Sequence, residues 1–331
     1  MTANTTAGTT TAAPVTKRTR VGWGDLVWLT WRQHRWVIIG LVAAVGVVVA
    51  LALTVAWQVD ATGDAQRLFG RWRFISVGSV VLLAPMATGL AIAVFWAAPV
   101  LAREYEQRTH LVVWSQDVTP TRWLTGKVVL LGVPAVALAV AVGLASSTML
   151  DSINAASDRP PFPAFEMPAF EAVPLVQAGY AAFGFALGLA LGALTRRTVL
   201  SMGLALGLFL AARVVVAGVL RPNFQAPLHE VQTYGAFQRS WDGPGDGSWT
   251  VNSGFVGPDG REVPFPSTCS TAQDSAAYTK CMEDSNVLFF QDYHPVERLV
   301  PFQLVESAIF IVLAAGLLAL TFVTVRRARR A

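Results

Sequence analysis

Six long apolar stretches, separated by loops of unequal charge, constrain the fold of this 331-residue chain most strongly. Each is about 20 residues or longer, which at about 1.5 Å per helical residue crosses a hydrocarbon core of about 30 Å. Only Arg213 and Glu306 carry charge inside them. The sequence therefore predicts an all-α, polytopic membrane protein with six transmembrane helices. The stretches are Trp36–Val55, Phe74–Leu101, Val128–Leu150, Ala172–Leu194, Val199–Leu220 and Gln303–Val325.

The charges of the loops predict the topology. Suppose that both termini, the loop after the second stretch and the turn after the fourth lie on one side of the membrane. That side then holds 15 of the 25 Lys and Arg residues but only four of the 21 acidic residues. Basic residues are retained on the cytoplasmic side, so we expect both termini in the cytoplasm. The basic residues form short clusters beside the membrane, which suit contact with lipid headgroups and indicate no nucleic-acid partner.

The chain divides into four parts. Residues 1–22 form a Thr/Ala-rich tail that we expect to be disordered and cytoplasmic. Residues 23–220 hold transmembrane helices 1–5, with a cytoplasmic loop at 102–127. Residues 221–302 form a Gly/Pro-rich outer loop, predicted to be a small extracytoplasmic cap, and 303–331 hold the last helix and a basic cytoplasmic tail.

The segment before the first apolar stretch has an amphipathic helical pattern, with tryptophans on one side and charges on the other. This pattern predicts an N-terminal interfacial helix in the headgroup plane, where tryptophan is favoured. An aromatic belt at the start of the first transmembrane helix is the alternative. The residues assigned to the interfacial helix are Trp23, Trp28, Trp31, Arg32 and Arg35.

The two cysteines, Cys269 and Cys281, both lie in the outer loop, twelve positions apart. Two thiols in an oxidising compartment indicate one disulfide that closes a short loop, with two free cysteines as the alternative. A metal site would need further ligands, and no nearby histidine cluster or second cysteine pair supplies them.

Glycines recur at four-residue spacing in two successive stretches, at Gly184, Gly188 and Gly192 and again at Gly203 and Gly207. Glycines four apart form a flat helix face that allows close approach. Because these stretches are joined by a very short turn, we expect them to pack against each other. Packing across a dimer is the alternative.

The two charges inside the apolar stretches lie at similar depths near their outer ends. A charge at that depth requires a partner or a path to water. We therefore expect Arg213 and Glu306 to interact. The alternative is that each side chain extends separately to the outer interface.

The sequence contains no phosphate loop, no HExxH metal site and no GxSxG nucleophile elbow. We assign no catalytic residues, so any energy for work must come from a partner. The cytoplasmic loop opens with charges on helix-favouring residues, in which Glu104 and Arg108 have the spacing of an i,i+4 pair. A charged helix that returns to the bilayer suits a soluble partner, although a solvated connector has the same pattern.

Three segments of the chain resemble permease subunits of type-two ABC exporters, in the version common in high-GC bacteria. They are WLTWRQHRW at Trp28–Trp36, APVLAREYEQRTHLVVWSQDVTPTRWLTGK at Ala98–Lys127, and HPVERLVPFQLVESAIF at His294–Phe310. In that family an acidic-basic-acidic run ends in Gly-Thr before a Ser/Thr-Arg stretch and Gly-Lys. Here Arg108 stands in place of the glycine.

The resemblance implies a permease in a bacterial plasma membrane, without enzymatic activity or cofactor of its own. A separate ABC ATPase would bind ATP and Mg and dock on the loop and the interfacial helix, and a second permease subunit, identical or different, would complete the pathway. The alternatives are a non-transporting scaffold or sensor with a ligand-binding cap and, less favoured, a membrane enzyme. The residues assigned to ATPase coupling are Arg103, Glu104, Glu106, Arg108, Thr109, Arg122 and Lys127.

Overall fold

The computed structural model describes residues 22–63, 77–109, 118–157, 160–233, 247–271 and 275–328, and is mostly helical. Residues 1–21 of the predicted disordered tail lie outside these residues. Wide π-helical turns at Ile92–Ala97, Val128–Gly132 and Val216–Leu220 continue helices of the bundle. The described helices are α1 (Trp23–Thr62), α2 (Val77–Ala91), α3 (Ala98–Glu106), α4 (Pro120–Lys127), α5 (Val133–Ala155), α6 (Ala169–Ala172), α7 (Pro174–Thr195), α8 (Thr198–Val215), α9 (Ser275–Asp284) and α10 (Leu299–Ala328).

Six helical segments of the described chain are long and apolar enough to cross a membrane, and we number them spans 1 to 6. They fit the predicted polytopic membrane protein. We call the end of the bundle that carries the sheet the outer end, and the opposite end the inner end. The spans are Ile38–Thr62, Val81–Glu106, Pro120–Ala155, Pro174–Thr195, Thr198–Asn223 and Val296–Ala328.

Span 4, formed by α7, is the centre of the bundle. It packs against α2, α3, α5, α8 and α10, and most of its length is buried inside the protein. Tyr180, Phe183 and Leu189 lie in its buried surface. Spans 1 and 5 are by contrast lightly buried, and their apolar side chains face outward.

The glycines of span 4 mainly face span 2, so the prediction that they pack against span 5 applies only to Gly184, whose added Cβ would also lie 3.2 Å from the Phe209 ring. A Cβ added at Gly188 would lie 2.5 Å from the carbonyl oxygen of Ala93, and one at Gly192 would lie 2.8 Å from that of Ala98. In span 5, a Cβ added at Gly203 or Gly207 would meet nothing within 4 Å. Close approach is therefore required between spans 2 and 4.

Helix α1 is continuous from Trp23 to Thr62. Its 40 residues measure about 60 Å at about 1.5 Å per residue, which exceeds the thickness of a bilayer core. The segment assigned to a separate interfacial helix is the first part of this rod, and the separate helix is not confirmed. Trp23, Trp28 and Trp31 are each about half exposed, and the Arg32 guanidinium lies 5.2 Å from the Trp28 ring centroid.

The outer segment contains an antiparallel four-stranded sheet, so the all-α prediction is wrong for this part of the chain. Its strands, in the order β1-β4-β2-β3, are β1 (Leu228–Thr233), β2 (Trp249–Val256), β3 (Glu262–Val263) and β4 (Leu288–His294). The strands are rich in aromatic and β-branched residues, which favour a pleated surface. A disulfide joins Cys269 to Cys281 of α9, with a Cα–Cα distance of 5.6 Å.

An aromatic cluster joins the sheet to the outer end of span 6. Phe302 is fully buried, and its ring centroid lies 5.8 Å from that of Phe165, 5.5 Å from that of Phe224 and 4.8 Å from that of His294. Trp249 of β2 stacks on Phe165. These contacts fix the sheet against the spans.

His294 holds this junction through both ring nitrogens. Its Nε2 donates to the Pro222 carbonyl oxygen at 3.0 Å, and its Nδ1 accepts from Arg298 Nη1 at 3.0 Å. Burial lowers the pKa of His294; the hydrogen bond to Pro222 raises it, and the Arg298 charge lowers it further. The ring is therefore held neutral, with its proton on Nε2.

Candidate functional site

The inner end brings together most of the residues assigned to ATPase coupling. Glu104 of α3 accepts a hydrogen bond from Lys127 Nζ at 2.6 Å, and the Lys127 side chain is 3% exposed. This ion pair ties the end of span 2 to span 3 across the loop. Residues 110–117 of the loop lie outside the described part of the chain.

Glu106 caps the start of span 5 from another helix. One carboxylate oxygen accepts from the Thr198 hydroxyl at 2.6 Å and from the Thr198 backbone N–H at 3.3 Å. The first N–H groups of a helix have no partner within it, and a carboxylate there is favourable. Glu104 and Glu106 are thus both engaged within the chain, which corrects the expectation that they are available to a partner.

Arg108 lies beyond the end of α3, so the i,i+4 pairing predicted for Glu104 and Arg108 does not apply. Its φ of 57° is in the left-handed region that glycine adopts without strain. The glycine that the resembling permeases carry at this position would fit this turn without strain. Thr109 follows, with its hydroxyl 3.5 Å from the Glu104 carbonyl oxygen.

Exposed arginines cluster around this turn, beside the exposed side chains of Glu106, Gln107 and Thr109. Arg103, Arg108, Arg196 and Arg197 are all exposed, and the Arg196 guanidinium lies 5.2 Å from the Tyr105 ring centroid. We call these four arginines the inner basic surface.

The start of α1 lies beside the loop. The Arg122 guanidinium is 5.2 Å from the Trp23 ring centroid. The structure therefore brings together the two segments that were predicted to contact a partner, even though α1 has no separate interfacial helix.

At the outer end, buried charges form a second cluster, but with partners that differ from the prediction. Arg213 of span 5 forms an ion pair with Glu171 of α6, which is fully buried. The Arg213 guanidinium also lies 3.7 Å from the Tyr180 ring centroid. The predicted pair between Arg213 and Glu306 is therefore wrong, although Tyr180 connects the two residues.

Glu306 of span 6 pairs instead with Arg221 at the end of span 5. Arg221 Nε and Nη2 donate to the two carboxylate oxygens at 2.8 and 2.9 Å, and Tyr180 donates its hydroxyl to Glu306. We call Glu171, Tyr180, Arg213, Arg221 and Glu306 the outer charge network. All five side chains are largely buried.

Sequence reasoning missed Glu171 and Arg221 because each lies one residue outside a predicted apolar stretch. The signal was present, since each directly flanks such a stretch and carries charge at an outer end. Within the described parts of the chain, no three His, Cys, Asp or Glu side chains come together in a group that could hold a metal ion.

Comparison with known proteins supports a transport family. Residues 64–221 match the family model described as ABC-2 membrane transporter related, a match that covers slightly less than half of the chain. No curated protein and no solved structure shows a significant match. The matched segment contains spans 2 to 4, the loop at 102–127 and span 5 as far as Arg221. The similarity therefore supports an ABC-2 type permease family for this chain.

Proposed function

We propose that the chain is the membrane-spanning permease subunit of an ATP-driven ABC export complex. The observation that carries the proposal is the family match over residues 64–221, in a chain with six candidate membrane spans. ABC-2 permeases generally work with an ATPase in a separate subunit. The chain then forms the pathway with a second permease subunit, in a bacterial plasma membrane with both termini in the cytoplasm.

The inner basic surface is the proposed ATPase contact. The acidic side chains Glu104 and Glu106 are engaged within the chain, whereas the arginines beside them are exposed. Arginine forms strong charge-assisted hydrogen bonds to carboxylates. The partner surface should therefore be acidic. The start of α1 lies beside Arg122 of the same loop and would extend the contact.

The test is co-expression with the ABC ATPase encoded nearest to the gene, followed by purification and ATPase measurement in lipid nanodiscs. The paired change Arg103→Glu with Arg197→Glu should abolish co-purification and stimulation. The matched control is Arg261→Glu, because the Arg261 side chain is 86% exposed in the outer segment. It should behave as wild type.

Two results would contradict the proposal. If the wild-type chain recruits no ATPase, a non-transporting scaffold or sensor becomes the better account. If the reversed chain recruits the ATPase normally, the permease assignment stands but the inner basic surface is not the contact. A screen of compounds for a change in ATPase rate then identifies the class of transported substrate.

A further inference from the structure

Span 5 has few apolar contacts with the rest of the protein. Within α8, only Ser201, Ala205 and Phe209 are buried. Phe209 packs midway along the span, with its ring 5.7 Å from that of Phe183. Val216 is also buried, and Met202 and Ala212 are partly buried against the bundle. Most of the other apolar side chains of the span face outward, where lipid tails solvate them as well as a neighbouring helix does. Apolar burial therefore contributes little to its position.

Unlike the apolar contacts, the polar contacts at the outer end of span 5 cannot be replaced by contacts with lipid. Two of the network's residues, Arg213 and Arg221, belong to span 5, and both of their carboxylate partners belong to other elements. Each guanidinium also lies over an aromatic ring outside span 5, at 3.7 Å for Arg213 on Tyr180 and 3.9 Å for Arg221 on Phe170. These two side chains therefore form the buried charged attachment of span 5, and its two ends are further bonded at Thr198 by Glu106 and at the Pro222 carbonyl oxygen by His294.

The π-helical turn at Val216–Leu220 allows both arginines to reach the same network. In a regular α-helix, side chains eight positions apart point about 80° away from each other. A π turn holds about one residue more than an α turn, so eight residues that include one cover about two turns. Arg213 and Arg221 consequently lie on one face, and π turns of this kind are frequent at functional sites.

We propose that the outer charge network is what holds span 5 against spans 4 and 6, and that span 5 is the helix that separates when the network is broken. Ion pairs and bidentate hydrogen bonds depend steeply on distance and geometry, so a small displacement of span 5 breaks them together. Tyr180 contacts both pairs, so the loss of one carboxylate charge weakens both. This inference concerns the chain alone and does not depend on an ATPase partner.

The test is hydrogen–deuterium exchange of the full-length chain in lipid nanodiscs, with the disulfide intact. Glu306→Gln removes one charge and keeps the shape of the side chain. We expect exchange in residues 198–223 to rise by about tenfold or more, while exchange in α5 stays at the wild-type rate. The matched control is Glu104→Gln, which neutralises the partly buried carboxylate at the inner end and should leave residues 198–223 protected.

Two results would overturn the proposal. One is unchanged protection of residues 198–223 in Glu306→Gln. The other is an equal loss of protection in all spans, which would show that the network only maintains the global fold. If Glu306→Gln does not yield folded protein, Tyr180→Phe decides the question, since it removes one hydroxyl and keeps the ring beneath Arg213. It too should raise exchange selectively in span 5, and wild-type exchange in that variant refutes the proposal.

Discussion

The contact between spans 2 and 4 allows a prediction from two chemically identical substitutions, Gly188→Ala and Gly207→Ala. At Gly188 the new Cβ would lie 2.5 Å from Ala93 O, 2.6 Å from Ala97 Cβ and 2.7 Å from Ala98 N. An ordinary contact begins at 3.4 Å, and none of these atoms is the end of a flexible side chain. The two helices must therefore separate, which costs about 3 kcal/mol, the upper end for overpacking.

Both substitutions gain up to about 1 kcal/mol from the better helix propensity of alanine. Gly188→Ala should therefore lower stability by about 2 kcal/mol, whereas Gly207→Ala should leave it unchanged or raise it by about 1 kcal/mol, since nothing lies within 4 Å of its new Cβ. Denaturant unfolding of both variants in the same detergent measures the difference. Equal stabilities within about 0.5 kcal/mol would refute the close packing of spans 2 and 4.

Three further predictions concern other parts of the chain. Arg108→Gly should raise stability by about 1 kcal/mol in thermal unfolding by relieving the left-handed backbone, and should weaken ATPase recruitment by removing a charge; no gain in stability would argue against that turn. Because the pKa of His294 is lowered from its usual 6.5, the stability of the junction should be full above about pH 6.5, fall as the pH drops from there toward the folded-state pKa, and level off below it. His294→Gln should flatten that dependence in melting curves between pH 7.5 and 5, and an unaltered curve would exclude this ring as its source. Cys269→Ser with Cys281→Ser should destabilise the outer segment by about 3 kcal/mol, given a separation of 12 residues, and limited proteolysis should detect the change; free thiols in protein from the native membrane would contradict the pairing.

Much of the membrane architecture followed from the sequence because one physical quantity, continuous apolar length, determines it. The ion-pair partners of the charged side chains within the spans could not be predicted from apolar length. Arg213 and Glu306 stand out as charges within apolar stretches, but Glu171 and Arg221 fall just outside and were counted with the loops. The depth of a charge in the bilayer does not identify its partner. The rotation of each helix and the π turn before Arg221 determine which charged side chains form ion pairs.

At the inner end, too, the sequence indicated which residues carry charge but not which residues they bond to. Sequence pattern assigned Glu104, Glu106 and Lys127 to a partner contact on the loop between spans 2 and 3. It could not show that Glu104 and Glu106 bond to Lys127 and Thr198, respectively, rather than to a partner protein. The outer sheet was missed because its short alternating strands lie among glycine-rich and proline-rich turns, whose composition dominates that segment.

The central position of span 4 has a consequence for how the protein is made. It is the least apolar of the six spans, yet the one most enclosed by protein. A growing chain meets lipid before it meets its own later helices, so span 4 has the weakest tendency to enter the bilayer by itself. Only Arg196 and Arg197 separate it from span 5, which is more apolar. We expect the two to insert together as a hairpin, which makes assembly sensitive to changes in that turn even where the finished structure tolerates them.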